Sequence, residues 1–394
     1  MLRTKCAACG TKLDSQDTTS CVRYLYESSD AWPGCARCQT RYCSAECRRA
    51  HWRDGHGQVC QEIARCGGAE QHYADQEYVK AAARAVKLCA TDTAGQTCYI
   101  CLGDTGEGLV RMCACRGTSG IAHLSCLERQ VQVAVQGALH NEEVDLMAML
   151  KRWWQCRLCE QEFYGAVACA LGWACWKTYL VRPETDYLRE FAMQILADLL
   201  AKGSDVKTRL AILTIILRRR HEIGDQKSVI ISVRGQIADC LEKLERYDEA
   251  HDVRRANYEA SADMDEMVAL HYATDLGASL VQQARIQADA AEALRFTRDV
   301  VDRTRLLWGE DHGNTHKALQ IYAMALYFDA KCSPEGLAEA ETIISDMARA
   351  WRRKLGADHP NTQCMEACQK VLRSKIAFNG VLDELLRVAA REED

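Results

Sequence analysis

Between Cys98 and Cys159 the chain repeats one short pattern four times. Cys98-x2-Cys101, Cys113-x-Cys115, His123-x2-Cys126 and Cys156-x2-Cys159 supply seven cysteines and one histidine. A spacer of one or two residues lets two side chains reach a single ion, and zinc takes four such ligands in a tetrahedron. Four pairs in series therefore imply two ions. A segment pinned at so many points is organised by metal before it is organised by an apolar core.

Disulfides are the competing use of cysteine. The chain holds 23 cysteines in 394 residues, 19 of them before residue 176. No signal-peptide pattern opens the sequence. Close pairs with interspersed histidine favour zinc in a reducing compartment, which points to the cytoplasm or the nucleus. The formal net charge is −5 and the longest basic run is Arg218 to Arg220, so no nucleic-acid surface is expected. The most apolar stretch, Phe163 to Trp176, is 14 residues long, too short for a membrane span.

A second ligand series lies at the start. Cys6-x2-Cys9 is followed after 25 residues by Cys35-x2-Cys38, then by Cys43-x3-Cys47 and, eight residues on, His56-x3-Cys60. Cys43 and Cys47 are one helical turn apart and can face one ion. Cys21 has no close partner; it is a packed thiol or a substitute ligand. His51 competes with His56, and the spacing to Cys60 favours His56.

Two family resemblances rest on these residues. The order of ligands from Cys98, with "CACRGTSGIAHLSCL" and "CRLCEQEF", resembles the RING-CH (variant RING) family. The one-residue spacer of the second pair and the seven residues between Cys115 and His123 favour it over the PHD finger. Trp154, two residues before Cys156, also occurs in PHD fingers and keeps that alternative open. The resemblance implies a cross-brace, with Cys98, Cys101, His123 and Cys126 on one zinc and Cys113, Cys115, Cys156 and Cys159 on the other. "RYCSAECRRAHWRDGHGQVC" resembles the MYND finger. That implies one zinc on Cys6, Cys9, Cys43 and Cys47 and another on Cys35, Cys38, His56 and Cys60. The chain would then hold four zinc ions, two per finger. The loop from Gly10 to Gly34 is longer than usual for that family. MYND fingers dock proline-containing peptides, and Trp52 sits where the family places a groove tryptophan; it is either that or a cover for the metal site.

A RING has no catalytic nucleophile, and none is assigned to this chain. It holds a ubiquitin-conjugating enzyme (E2) with its thioester. Ile100 matches the usual apolar E2 contact. Gln130 stands where tryptophan is common, and Glu160 where many RINGs carry a ubiquitin-contacting arginine.

The rest reads as helix. Glu70 to Ala90, with Tyr73, Val79 and Val86 loosely periodic, is expected as a spacer helix, and Gln130 to Leu150 as one helix. Trp153 and Trp154 are expected to pack on the second metal site. Cys169 and Cys175 are read as buried residues on a helix that packs the finger onto the helical half of the chain. Beyond Glu184 the motif Glu-Ala recurs at 249, 292 and 339, at spacings of 43 and 47 residues, and "GEDHGNT" at 309 recurs as "GADHPNT" at 356. A period of this length means an α-solenoid. "IADCLEKLERYDEA" and "LGADHPNT" resemble tetratricopeptide (TPR) repeats of the kinesin-light-chain type. Asn361 or Thr362 is expected to cap a helix. His312 and His359 are read as turn residues, and Cys364 with Cys368 as structural.

The expected fold is mainly α: two small zinc-bound cross-brace modules, then an α-solenoid of TPR-like helix pairs. The expected boundaries are a MYND-type finger at 1–65, a linker helix at 66–95, a RING-CH-type finger at 96–165, packing helices with a degenerate pair at 166–226, and repeats with a C-terminal cap at 227–394. The expected function is an E3 ubiquitin ligase that recruits an E2 through the RING and protein or peptide substrates through the MYND and TPR surfaces. The alternative is a non-catalytic, zinc-dependent interaction scaffold. Neither nucleic acid nor membrane is expected as a partner.

Overall fold

The computed structural model describes residues 7, 34–42, 44–103, 106–115, 117–203, 205–287, 289–329, 333–357 and 360–392. Two compact units divide the chain, Met1–Leu244 and Glu245–Asp394.

In the first unit, α1 spans Ala45–His51, a wide turn spans Trp52–His56, and α2 spans Gly57–Arg65. α3 follows at Ala69–Thr93. A two-stranded antiparallel hairpin comes next, β1 at Val110–Arg111 and β2 at Ile121–Ala122, with Val110 opposite Ala122. α4 then runs Leu124–His140, α5 Leu146–Leu150, α6 Gly165–Tyr179, α7 Tyr187–Leu200, α8 Val206–Glu222 and α9 Lys227–Lys243.

α6 is the centre of this unit. Its only charged residue is Lys177, and it is buried nearly all round, which is how a helix apolar on every face is accommodated. α3, α4 and α7 pack against it. Among the described residues no helix is long and apolar enough to cross a membrane.

Two details differ from the sequence reading. α3 is a packed element as well as a connection. Its buried residues include Ala69, Ala74 and Ala85, small side chains that admit a close neighbour. Tyr73 meets the edge of Trp173, and the Gln71 amide donates to the Lys177 carbonyl at 3.3 Å. Second, the helix expected from Gln130 to Leu150 is two helices. Asn141 takes the Glu143 N–H at 3.0 Å and Asp145 takes the Met147 N–H at 2.8 Å. These short polar side chains satisfy the backbone locally and so end one helix and cap the next.

The second unit contains α10 (Tyr247–Ala260), α11 (Glu266–Gln287), α12 (Ala291–Trp308), α13 (Gly313–Phe328), α14 (Pro334–Leu355) and α15 (Pro360–Glu392). Each packs on the next, and α11 also packs on α13. Packing between successive helices, and between helices two apart such as α11 and α13, is the arrangement of a helical-repeat solenoid. The recurring alanines Ala250, Ala293 and Ala340 are all buried, at 0, 2 and 0% exposure, as close crossings require. Gly309 and Gly356 close α12 and α14 at φ of 83° and 90°, a conformation that only glycine adopts without strain. The motif "GEDHGNT" is thereby explained, with one change of role. His312 caps α13, its Nδ1 accepting the Asn314 N–H at 3.2 Å. Thr315 is buried instead and donates its hydroxyl to the Gly309 carbonyl at 2.7 Å, tying its helix to the preceding one. In the second copy Thr362 is likewise buried, while His359 lies outside the described residues.

Candidate metal centres and the adjoining groove

The hairpin interleaves the ligands of the Cys98–Cys159 series. Cys98 and Cys101 form a knuckle whose Tyr99 N–H donates to the Ile121 carbonyl of β2 at 3.1 Å. β2 leads straight into His123 at the N-terminus of α4, with Cys126 in its first turn. Cys113 and Cys115 lie in the loop after β1. Cys156 and Cys159 form a knuckle beside that loop, bridged to it by the Ala114 N–H donating to Gln161 Oε1 at 3.1 Å.

Two ligand groups result: Cys98, Cys101, His123 and Cys126 in one, and Cys113, Cys115, Cys156 and Cys159 in the other. In each, all four donor atoms lie within 4.8 Å of one another. Cys101 Sγ is 3.4 Å from His123 Nδ1, and Cys113 Sγ is 3.4 Å from Cys156 Sγ. A tetrahedron with metal–sulfur bonds of about 2.3 Å has edges of about 3.8 Å, so these spacings suit one ion per group.

A third group joins Cys35, Cys38, His56 and Cys60, all four buried. Here the wide turn at Trp52–His56 matters. Gly55 adopts φ 115° inside it and sets His56 one helical turn before Cys60. His56 Nε2 lies 3.3 Å from Cys38 Sγ, and its buried Nδ1 has no hydrogen-bond partner. His51 is not in the group; its Nδ1 pairs with the Tyr42 hydroxyl at 3.0 Å and its ring stacks on His56. Of the remaining expected ligands, Cys6, Cys9 and Cys43 lie outside the described residues, and Cys47 sits on α1 with its N–H bonded to the Ser44 hydroxyl. Trp52 is 47% exposed and meets His56 edge-on at 5.8 Å.

The three Cys-x2-Cys knuckles among the described residues share a geometry that spacing does not reveal. In each, the residue after the second cysteine has positive φ: Gln39 at 61°, Leu102 at 55° and Glu160 at 57°. Its N–H returns to the carbonyl of the first cysteine, at 2.8, 2.9 and 2.9 Å respectively. Left-handed backbone costs a non-glycine residue roughly 1–2 kcal/mol. Leu102 is 77% exposed, so its side chain offers little packing in return. Leu102→Val, β-branched at this φ, is expected to lower the finger's stability by about 1 kcal/mol, and Leu102→Gly is not. Chelator competition for bound metal measures both.

The electrostatics fit a cation at each centre. Burial raises the Cys98 thiol, but backbone N–H groups of Cys101, His123 and Ile100 outweigh it and bring Cys98 down to about 7. Burial, then the neighbouring Cys101 and Cys98, push Cys126 up to about 12. In the third group burial raises Cys35, yet His56 and the backbone bring it down to about 6, while burial and then Cys35 and Cys38 push Cys60 up to about 12. In both of these sets one thiol is lowered, and the repulsion of its neighbours helps to raise another. A divalent ion reverses that repulsion and deprotonates its thiol ligands.

Trp153 and Trp154 pack towards the helices behind the second centre. Trp153 is fully buried and meets Tyr179 edge-on at 6.1 Å, and Trp154 lies 6.1 Å from Phe191. Cys175 is fully buried in α6, and Cys169 approaches the Leu199 carbonyl.

Beside the first centre is a groove of about 630 Å³. Ile100 of the first knuckle, Val133 and Ala134 of α4, and Arg129, Arg152 and Arg157 are among its lining residues. Gln130 also lines it, its Oε1 3.5 Å from the Tyr99 hydroxyl. The expected E2-contact residue and the variant tryptophan position are thus neighbours in one concavity. The three arginines were not singled out in the sequence, since positions 129, 152 and 157 converge only in the fold.

Comparison with known families finds a match to the RING-variant domain over residues 98–159. No curated protein matches the chain. Among solved structures, two crystal structures of the nearly identical TPR-like repeats of a kinesin light chain from Podosopora anserina, one of them a point variant, are similar at 13 and 12% identity. They cover 59% of this chain and 97 and 98% of their own, with TM-scores of 0.37 and 0.36. BtubC (BKLC) from P. vanneervenii is similar at 14% identity, covering 65% of this chain and 91% of its own, with a TM-score of 0.35.

Proposed function

We propose that this chain is a zinc-dependent RING-type E3 ubiquitin ligase. The observation that carries the reading is the coincidence of a RING-variant match at 98–159 with two interleaved four-ligand groups and a groove containing Ile100 beside the first of them. Zinc is the ion that the Cys/His donor sets fit, and each set closes a tetrahedron. Such an ion shapes the finger and leaves no open position for water, so its contribution is structural. The chemistry belongs to the E2 thioester, and the finger's part is to hold and orient it.

The third group and its neighbours form a MYND-type finger in this proposal, with a fourth zinc on Cys6, Cys9, Cys43 and Cys47. That finger and the helical repeats are the places for protein or peptide substrates. The setting is a reducing compartment, cytoplasm or nucleus.

A specific observation favours the alternative, an interaction scaffold without ligase activity. Gln130 and Glu160 depart from the residues that help RINGs engage E2 and ubiquitin, and Glu160 is held exposed at the tip of its knuckle.

The test is ubiquitin-chain formation by the zinc-loaded chain with E1 and a panel of E2 enzymes. Chains are expected with at least one E2, and none with the Cys113→Ser/Cys115→Ser double variant. No chains with any E2, from protein carrying its full zinc content, would establish the scaffold reading instead.

A further inference from the structure

Most arginines of the first unit that approach a carboxylate are paired with it. Arg182 meets Asp186 at 2.9 Å, Arg189 meets Glu70 at 3.3 Å and Arg220 meets Asp225 at 2.8 Å. Around the groove the arginines converge without such partners. Arg129, Arg152 and Arg157 have no ion-pair partner among the described residues. Two described acids of this region are engaged elsewhere. Glu128 of α4 turns to Lys177 at 2.8 Å, and Glu107 accepts the Ser125 N–H at 3.1 Å at the start of the same helix. Arg152 is half-buried, and burial and then the charge of Arg157 push its guanidinium down from its ordinary value. Three like charges therefore crowd one concavity whose floor is apolar, at Ile100, Val133 and Ala134.

We propose that this groove selects an E2 whose RING-facing surface carries carboxylates around an apolar contact residue. The inference rests on the proposed ligase function and adds to it the charge of the partner. The apolar residue covers Ile100 and Val133, while carboxylates meet the guanidinium forks, which suit bidentate pairing. Complementary charge speeds encounter and chooses between partners of otherwise similar shape, and a basic surface here is repelled. A RING with an uncharged rim has no such preference.

The experiment uses the full, zinc-loaded chain and E2–ubiquitin thioesters from E2 enzymes grouped by the charge of their RING-facing loops. Discharge of the thioester to free lysine is followed at low and moderate salt. Wild type is expected to discharge acidic-faced E2 enzymes at least tenfold faster than basic-faced ones, with the ratio shrinking as salt screens the charges. Arg129→Glu/Arg157→Glu, at two exposed positions, is expected to reverse that order with zinc content unchanged. A half-buried Arg152→Glu serves only as a second variant, because its burial puts folding at stake. E2 enzymes discharged in an order that ignores their charge and survives the double reversal would overturn the inference and leave the ligase standing. Discharge of no E2 at all would overturn the ligase reading, and this inference with it.

Discussion

Chelation of zinc is expected to dismantle the ligand loops while most of the helical circular-dichroism signal persists. A structural zinc site contributes on the order of 10–16 kcal/mol in finger peptides, more than the whole stability of many domains. The knuckles at Cys98–Leu102 and Cys156–Glu160 and the loop between β1 and β2 have little else to hold them. Ligand count and spacing alone would have the entire 98–159 segment unfold with the metal. The structure narrows that expectation. Leu124, Leu127, Val131 and Val135 of α4 are buried, and α4 packs on α6, so this helix has an apolar anchor independent of the ions. Hydrogen exchange after chelator treatment is therefore expected to lose protection at residues 98–123 and 154–163 and to retain it in α3, α6 and α7. Metal release measured alongside should give four equivalents from the proposed ligand set. Full loss of helical signal would mean that α6 and its neighbours depend on the metal, and that the packing described for them does not stabilise them alone.

What the sequence discloses depends on how local the cause is. The ligand pairs were legible because one- and two-residue spacers fix which side chains can share an ion. The solenoid was legible because Ala250, Ala293 and Ala340 recur where helices cross, and the glycines at 309 and 356 recur where helices end. α3 was legible as a helix but not as a packed one. Its buried face is alanine, which carries almost no hydrophobic period, and its partner α6 lies about a hundred residues along the chain. The positive φ after each knuckle was invisible because Gln39, Leu102 and Glu160 share no residue type that signals it. The arginine rim was invisible for a different reason: it is assembled from α4 and from both sides of Trp153, and only the fold makes those positions neighbours. The second copy of the turn shows the limit of motif reasoning: Asn361 or Thr362 reads as a cap there, yet Thr362 is buried, as is Thr315 in the first copy, where His312 takes the capping role.

Under the ligase proposal, Ile100→Ala is expected to reduce E2-dependent ubiquitin-chain formation by at least tenfold while zinc content and helical signal stay unchanged. Ile100 is half-buried on the groove floor, and its backbone N–H, which the substitution keeps, donates to Cys98 Sγ at 3.4 Å. The variant therefore removes apolar contact surface without touching the metal centre. Burial of such a side chain against a partner is worth about 1.5–3 kcal/mol, and about 1.4 kcal/mol is a factor of ten in affinity. Gln130 gives the complementary arm. Its amide lines the same groove and among the described residues is held only by a long contact to the Tyr99 hydroxyl, so a covering partner must satisfy or desolvate it. Gln130→Trp replaces that polar group with a broad apolar surface and is expected to raise activity with the E2 that wild type uses. Ile100→Ala protein as active as wild type would place E2 contact elsewhere than this groove. Gain in Gln130→Trp together with loss in Ile100→Ala requires both residues to meet the same partner, because neither is a metal ligand and their only shared feature is this concavity.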